Sequence, residues 1–247
     1  MPRPRILLVI AAVAGLAALT LTMHGAPPKL GPAPVVVELF TSQGCSSCPP
    51  ADVLIHDIAN DPGLRGRVIP LAFHVDYWDS LGWRDPFSSA EWTQRQARYA
   101  RTMHLSSAYT PQAVVNGTRE FVGSNRSALS AALENASNEK PRSEITLTAR
   151  REGNSLIATI RANVPANDDL VLAIVEDGVT TKIEHGENAG RTITNDAIVR
   201  KLIRVMPGQT IVTVPLDAAW RDVSAIAFVQ DRATMGIGAA AFERVAQ

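Results

Sequence analysis

The spacing of apolar residues changes near residue 140, and this change constrains the fold more than any other feature of the sequence. Residues 35–137 alternate between short apolar runs that favour strands and amphipathic runs that favour helices, in the order β-α-β-α-β-β-α. Beyond residue 143 the apolar residues recur at every second position, as in half-buried strands. The sequence therefore predicts an α/β domain over 35–137, a polar linker over 138–143 and an all-β domain, sandwich or jelly-roll-like, over 144–247.

The individual elements follow from the same periodicities. In the first region we expect strands at residues 35–40, 67–75, 113–115 and 120–122, and helices at residues 50–60, 88–101 and 127–136. The Asn116-Gly117 pair between the last two strands is typical of a hairpin turn. In the second region we expect strands at residues 145–149, 155–164, 170–176, 180–184, 197–205, 209–214 and 225–230.

Charge and cysteine content exclude several classes of protein. The 247 residues contain 24 Lys+Arg and 24 Asp+Glu, so the formal net charge is zero. A nucleic-acid binder needs a basic surface to neutralise phosphates, and we therefore expect no nucleic-acid partner. Two cysteines are too few for a disulfide-scaffold fold or for a four-cysteine zinc site.

The N-terminus has the features of an export signal. Arg3 and Arg5 precede an unbroken apolar run over residues 6–21. We interpret residues 1–26 as a signal peptide or an uncleaved signal anchor, and the proline-rich residues 27–34 as a stiff spacer. The rest of the chain is then periplasmic or secreted, and the membrane is a partner only through that anchor. This compartment permits disulfides.

Cys45 and Cys48 are the centre of the predicted chemistry. A Cys-x-x-Cys pair between a strand and a helix can close a disulfide, and the helix N-terminus favours the thiolate of the first cysteine. Cys45 would then attack and Cys48 would resolve the mixed disulfide. A structural disulfide is an alternative, although so small a ring contributes only about 2 kcal/mol. Metal binding is another alternative, with His56 or His74 as a further ligand.

Thr110 and Pro111 directly precede the third predicted strand. In a β-α-β unit with a Cys-x-x-Cys pair, a cis proline at this place lies against the disulfide. There it blocks metal ligation and leaves the backbone of the preceding residue free to pair with substrate. We therefore predict a cis Thr110–Pro111 bond that positions substrate.

Residues 35–137 look like a thioredoxin fold in the order of strand, redox pair and proline. The chain more closely resembles a family of secreted bacterial thioredoxin-like proteins described as a domain of unknown function. The matching motifs are residues 38–52, 74–78, 82–87 and 186–192. The resemblance implies a fold and a redox-type site but no reaction. It also implies that Glu38, as a buried acid on the first strand, is a candidate proton acceptor.

Two further segments are candidates for a place near this site. His74 ends the second strand, at the sheet edge where ligands bind in open α/β sheets, and is a candidate for proton transfer. A packed, hydrogen-bonded histidine is the competing interpretation. For residues 186–192 we favour a long hairpin turn over an interface that faces the redox site.

Together these features predict an extracytoplasmic thiol–disulfide oxidoreductase that acts on protein thiols or disulfides, or on a redox partner. It would need no cofactor beyond the dithiol. One alternative function is a metal-binding protein, for example for copper, that uses both cysteines and a histidine. The other is a non-enzymatic binding module with an inert disulfide.

Overall fold

The structure is a computed structural model that describes residues 29–245. The signal segment predicted at residues 1–26 lies outside the described residues, as do the first two residues of the predicted spacer. Within residues 29–245, no helix has the length and apolar character needed to cross a membrane.

The first region contains the elements in the predicted order. Its strands are β1 (Val35–Thr41), β2 (Val68–His74), β3 (Gln112–Val115) and β4 (Arg119–Val122), and its α-helices are α1 (Pro49–Asn60), α2 (Ala90–Thr102) and α3 (Arg126–Asn138). A single 3₁₀ turn, Asp79–Leu81, follows β2. Asn116 and Gly117 have φ values of 45° and 67°. These left-handed conformations form the tight turn of the predicted hairpin between β3 and β4.

The second region consists of strands over its described length. They are β5 (Ile145–Glu152), β6 (Ser155–Ala162), β7 (Asp168–Asp177), β8 (Val179–Lys182), β9 (Thr192–Asn195), β10 (Ile198–Val205), β11 (Ile211–Pro215), β12 (Asp222–Asp231) and β13 (Ile237–Arg244). The sequence did not predict β9 or β13. β9 has only four residues, and β13 is rich in alanine, which is a weak strand former.

The predicted fold class, a thioredoxin-like α/β domain followed by a separate all-β domain, is wrong. One mixed eight-stranded sheet runs through both regions in the order β13-β12-β7-β10-β2-β1-β3-β4. β10 pairs in parallel with β2 at Ile198 and Ala72, and the Ala72 N–H donates to the Ala197 carbonyl at 2.7 Å. Without β10, the edge of β2 would expose unpaired backbone groups. β5, β6 and β11 form a second sheet of three strands.

The two faces of the large sheet are covered differently. On one face a single apolar core extends from β1 and β2 to β7 and β12, and Trp92 and Tyr99 of α2 pack into it. On the other face, α1 and α3 cover the first region and the three-stranded sheet covers β7 and β12. Cys45 and Cys48 lie just beyond the end of β1, where the chain turns onto the α1 face.

Candidate functional site

Cys45 and Cys48 lie in the turn between β1 and α1 and form a disulfide. Cys48 directly precedes α1, and both cysteines are fully buried. The first two helical residues, Pro49 and Pro50, have no N–H group. The following two N–H groups donate to the Cys48 carbonyl oxygen. The sequence analysis expected helix N–H groups to favour the Cys45 thiolate. Those groups are absent at Pro49 and Pro50, and at the next two residues they are already hydrogen-bonded.

Hydroxyl groups contact the sulfur of Cys45 instead. Thr110 Oγ1 donates to Cys45 Sγ at 3.3 Å and accepts a hydrogen bond from Trp78 Nε1 at 2.8 Å. Ser47 Oγ lies 3.4 Å from the same sulfur and 3.4 Å from the Thr110 carbonyl oxygen. The Thr110–Pro111 peptide bond is cis, as predicted. The structure thus brings Thr110 to the disulfide, with its hydroxyl as the contacting group.

Glu38 lies away from the disulfide. Alternate residues of a strand point to opposite faces, and Glu38 shares its face with Val36 and Phe40, which pack in the core on the α2 side. Its carboxylate accepts hydrogen bonds from Arg95 Nε at 2.6 Å, Arg95 Nη2 at 2.8 Å and Tyr99 Oη at 2.6 Å. Glu38 is therefore a buried, fully paired anion on the face opposite α1.

His74 lies beside the site and is paired with a carboxylate. Its Nδ1 is 2.7 Å from Asp85 Oδ2, which also accepts the Gln43 N–H at 2.7 Å. Burial alone would lower the pKa of His74, but the Asp85 carboxylate outweighs it and the pKa is raised. Burial alone would raise the pKa of Asp85, but the His74 imidazole and backbone donors hold it below its ordinary value. His74 Nε2 is buried and has no hydrogen-bond partner within residues 29–245.

Asp52 is a site residue that the sequence analysis did not identify. It lies one helical turn beyond Cys48 on α1, is 8% exposed, and accepts a hydrogen bond from Thr41 Oγ1 at 2.8 Å. Burial raises its pKa from 3.8 to about 6, against a smaller lowering effect of His74. The sequence did contain one signal, because a spacing of four residues places Asp52 and Cys48 on the same helix face. The burial that distinguishes Asp52 from an ordinary acid in the first helical turn is visible only in the structure.

The second region also contributes to the site. The loop between β8 and β9 places Asn188 Nδ2 at 2.9 Å from both the Gln43 and the Cys45 carbonyl oxygens. Glu187 Oε2 accepts the N–H of Ser46 at 3.1 Å, and the hydrogen bonds from Ser46 lower the pKa of Glu187. Residues 186–192 are therefore a hairpin turn that also faces the disulfide, whereas the sequence analysis treated these as alternatives.

The histidines considered for metal binding are both engaged with carboxylates. His56 Nδ1 lies 2.7 Å from Asp196 Oδ2, and His74 is paired with Asp85. Across the described part of the chain, no three or more His, Cys, Asp or Glu side chains form a group that could hold a metal ion.

The sequence matches one family model, and the fold is similar to those of two solved structures. A family model described as "Protein of unknown function (DUF1223)" matches residues 36–230. The chain is similar to the crystal structure of protein AGR_C_4864 from Agrobacterium tumefaciens, with 27% identity, a TM-score of 0.65, and coverage of 85% of this chain and 94% of that chain. HBP35 of Porphyromonas gingivalis has a similar fold, with 15% identity, a TM-score of 0.63, and coverage of 87% and 76%. No curated protein matches the sequence.

Proposed function

Because this chain belongs to the DUF1223 family, whose description assigns no function, we propose its activity from the site itself: thiol–disulfide exchange through Cys45 and Cys48. The substrates would be protein thiols or disulfides outside the cytoplasm.

The observation that carries this proposal is the polar contact at the sulfur of Cys45. A structural disulfide gains nothing from a hydroxyl donor, whereas a thiolate leaving or attacking at this sulfur is stabilised by one. Thr110 Oγ1 supplies such a donor at 3.3 Å. The small ring is a further argument, since its closure contributes only about 2 kcal/mol to stability.

The reaction can be written with its electrons balanced. A client thiolate attacks Cys45 Sγ, the Cys45–Cys48 bond breaks, and Cys48 leaves as a thiolate that takes up a proton. A second client thiolate then attacks the client sulfur of the mixed disulfide and releases the Cys45 thiolate. Two electrons pass from the client to the protein, and the client becomes a disulfide. The reverse sequence reduces a client disulfide.

Proton transfer to Cys48 is best supplied by the pair Asp52 and His74. Asp52 lies one helical turn from Cys48, and its pKa of about 6 is suited to giving and taking a proton near neutral pH. His74 Nε2, which is buried and has no partner within residues 29–245, provides a second titratable atom on the same side of the sheet. Glu38 is unsuited because its carboxylate is already paired with Arg95 and Tyr99.

The redox equilibrium of the purified protein tests the proposal. We would equilibrate the protein in glutathione buffers and count free thiols by the mass added on alkylation. We expect a midpoint potential between about −270 and −120 mV, the range of known oxidoreductases. A pair that remains oxidised below about −300 mV, as structural disulfides do, would contradict exchange chemistry.

A substitution at Thr110 tests the role of the hydroxyl. In Thr110→Val the reduced Cys45 loses a donor to its thiolate, so its pKa should rise and its alkylation at pH 7 should slow by about tenfold. Thr148→Val, at an exposed position of β5, is the matched control and should alkylate at the native rate. Equal rates for both variants would rule out the hydroxyl contact as a functional feature.

A further inference from the structure

The loop formed by residues 184–191, which we call the lid, packs against the turn that carries Cys45. Cys45 and Cys48 each have 0% exposed surface. Thiol–disulfide exchange requires an incoming sulfur to approach the attacked sulfur along the S–S axis. The closed arrangement gives no such approach, so something must move before any client can react.

Polar contacts tie the lid and its hairpin to residues 43–46. Asn188 Nδ2 donates to two carbonyl oxygens, those of Gln43 and Cys45, at 2.9 Å each. Glu187 accepts the Ser46 N–H, and Gln43 Nε2 donates to Asn195 Oδ1 at 2.8 Å. These are side-chain contacts between a loop and a turn, and they can break without unpairing any strand of the large sheet.

The hairpin that carries the lid is not a strand pair of the large sheet. β8 and β9 form their own two-stranded sheet, separate from the other two sheets. A two-stranded hairpin is marginally stable alone and depends on what it packs against. The chain enters β8 through Gly178, which has a φ of 72° and where an added Cβ would meet no atom within 4 Å. The position is therefore suited to a hinge.

The closed state is also imperfectly satisfied. Asn188 is 1% exposed, and its Oδ1 atom has no hydrogen-bond partner within the described residues. A buried acceptor without a donor destabilises the arrangement that buries it. Opening the lid would return this oxygen to water.

We propose that the lid gates the disulfide: Glu187 and Asn188 hold Cys45 inaccessible, and exchange proceeds only after they release residues 43–46. The inference rests on the proposed function for its biological meaning. The gate itself is a property of access to the disulfide and can be measured with a reductant that is not a substrate.

The test is the rate at which the oxidised full-length protein is reduced by tris(2-carboxyethyl)phosphine, followed by the mass added on alkylation of the freed thiols. Asn188→Ala removes both hydrogen bonds to the carbonyl oxygens and should accelerate reduction by about tenfold or more. Glu187→Ala removes one contact of an exposed side chain and should accelerate it by about threefold. Glu184→Ala, an exposed glutamate of the same loop, is the matched control and should leave the rate unchanged.

Two further measurements make the outcomes decisive. In denaturant, all four proteins should be reduced at the same rate, because no lid then exists. Thermal unfolding of the oxidised Asn188→Ala protein must show a native-like transition, and the Glu187→Ala variant carries the test if it does not. Equal rates for the native protein, Glu187→Ala and Asn188→Ala in the folded state would overturn the gate.

The gate and the exchange function fail in different ways. If only the gate is wrong, the variants are reduced at the native rate while the midpoint potential stays within the oxidoreductase range. If only the exchange function is wrong, the variants still differ in rate but the midpoint potential lies below about −300 mV.

Discussion

Two buried ionic clusters lie on opposite faces of the large sheet, and they differ in how completely their polar atoms are paired. On the α2 face, Glu38 accepts three hydrogen bonds from Arg95 and Tyr99. On the α1 face, beside the disulfide, His74 keeps one nitrogen without a partner in the described chain, and burial raises the pKa of Asp52 to about 6. The first cluster is held by three hydrogen bonds to one carboxylate, whereas the second contains an acid whose pKa lies near 6.

The paired cluster also joins the two regions of the chain. Gln230 of β12 accepts hydrogen bonds from Arg95 Nη1 and Nη2 at 3.2 Å, and its Nε2 donates to Tyr99 Oη at 3.0 Å. Arg95 further stacks over the rings of Phe73 and Phe228. We infer that this cluster contributes to stability, and that the capacity for proton exchange lies on the other face.

The largest expected effect is that of breaking the paired cluster. Arg95→Met leaves the Glu38 carboxylate buried without its cation, and we expect a loss of about 3–5 kcal/mol in the free energy of unfolding, measured with urea. Arg150→Met removes an arginine that is paired with Glu152 at the surface, and should cost less than about 1 kcal/mol. Similar losses in the free energy of unfolding for the two variants would mean that the buried Arg95–Glu38 pair stabilises the fold no more than a surface pair does.

A smaller effect, with a characteristic pH dependence, is expected at Asp52. The folded protein holds its pKa at about 6, above the ordinary 3.8. The unfolded chain therefore ionises first as the pH rises, and stability falls between about pH 4 and pH 6 and stays lower above that. The shift converts to at most roughly 3 kcal/mol.

The variant Asp52→Asn cannot ionise and should not lose this stability. The raised pKa of His74 acts in the same direction, because its contribution is present at low pH and is lost as the pH rises through the folded value. The native protein should therefore lose more stability between pH 4 and pH 7 than Asp52→Asn does in urea unfolding. Parallel curves for the two proteins would remove Asp52 from the titrating cluster.

The smallest expected effect concerns the hydrogen bond that Thr41 donates to Asp52. Thr41→Val should raise the pKa of Asp52 further and cost about 1 kcal/mol at pH 7, where the carboxylate is charged. At pH 4 the cost should shrink, because the folded acid is then protonated in both proteins and the lost hydrogen bond is no longer one to a carboxylate. Thr148→Val on β5 provides the exposed control, and a loss that is the same at both pH values would contradict this account.

Local patterns predicted the elements well because they depend on neighbours in sequence. The order of strands and helices over residues 35–138 and the Asn116-Gly117 hairpin follow from periodicity and turn chemistry. The Cys45–Cys48 disulfide and the cis Thr110–Pro111 bond are also present. The strands β9 and β13 were missed because neither shows a clear alternation of apolar and polar residues. β9 is too short to show it, and β13 is rich in alanine.

The division into two domains failed for a different reason. A change in hydrophobic period marks a change in local structure, but it does not reveal which strand edges pair. The pairing of β10 with β2 is made by backbone groups that every residue except proline carries in full, so no side-chain pattern indicates it. For this reason the sequence could not distinguish two domains from one continuous sheet.

By itself, the sequence determined where strands and helices form and that two cysteines meet in a strand-to-helix turn, because these features arise within a few residues. The tertiary structure decided that Glu38 faces α2 while Asp52 and His74 lie on the α1 face. It also decided that Asn188 donates to the Cys45 carbonyl oxygen from 143 residues further along the chain. Contacts at that separation depend on how the sheet is assembled, and the burial that raises the pKa of Asp52 exists only after assembly.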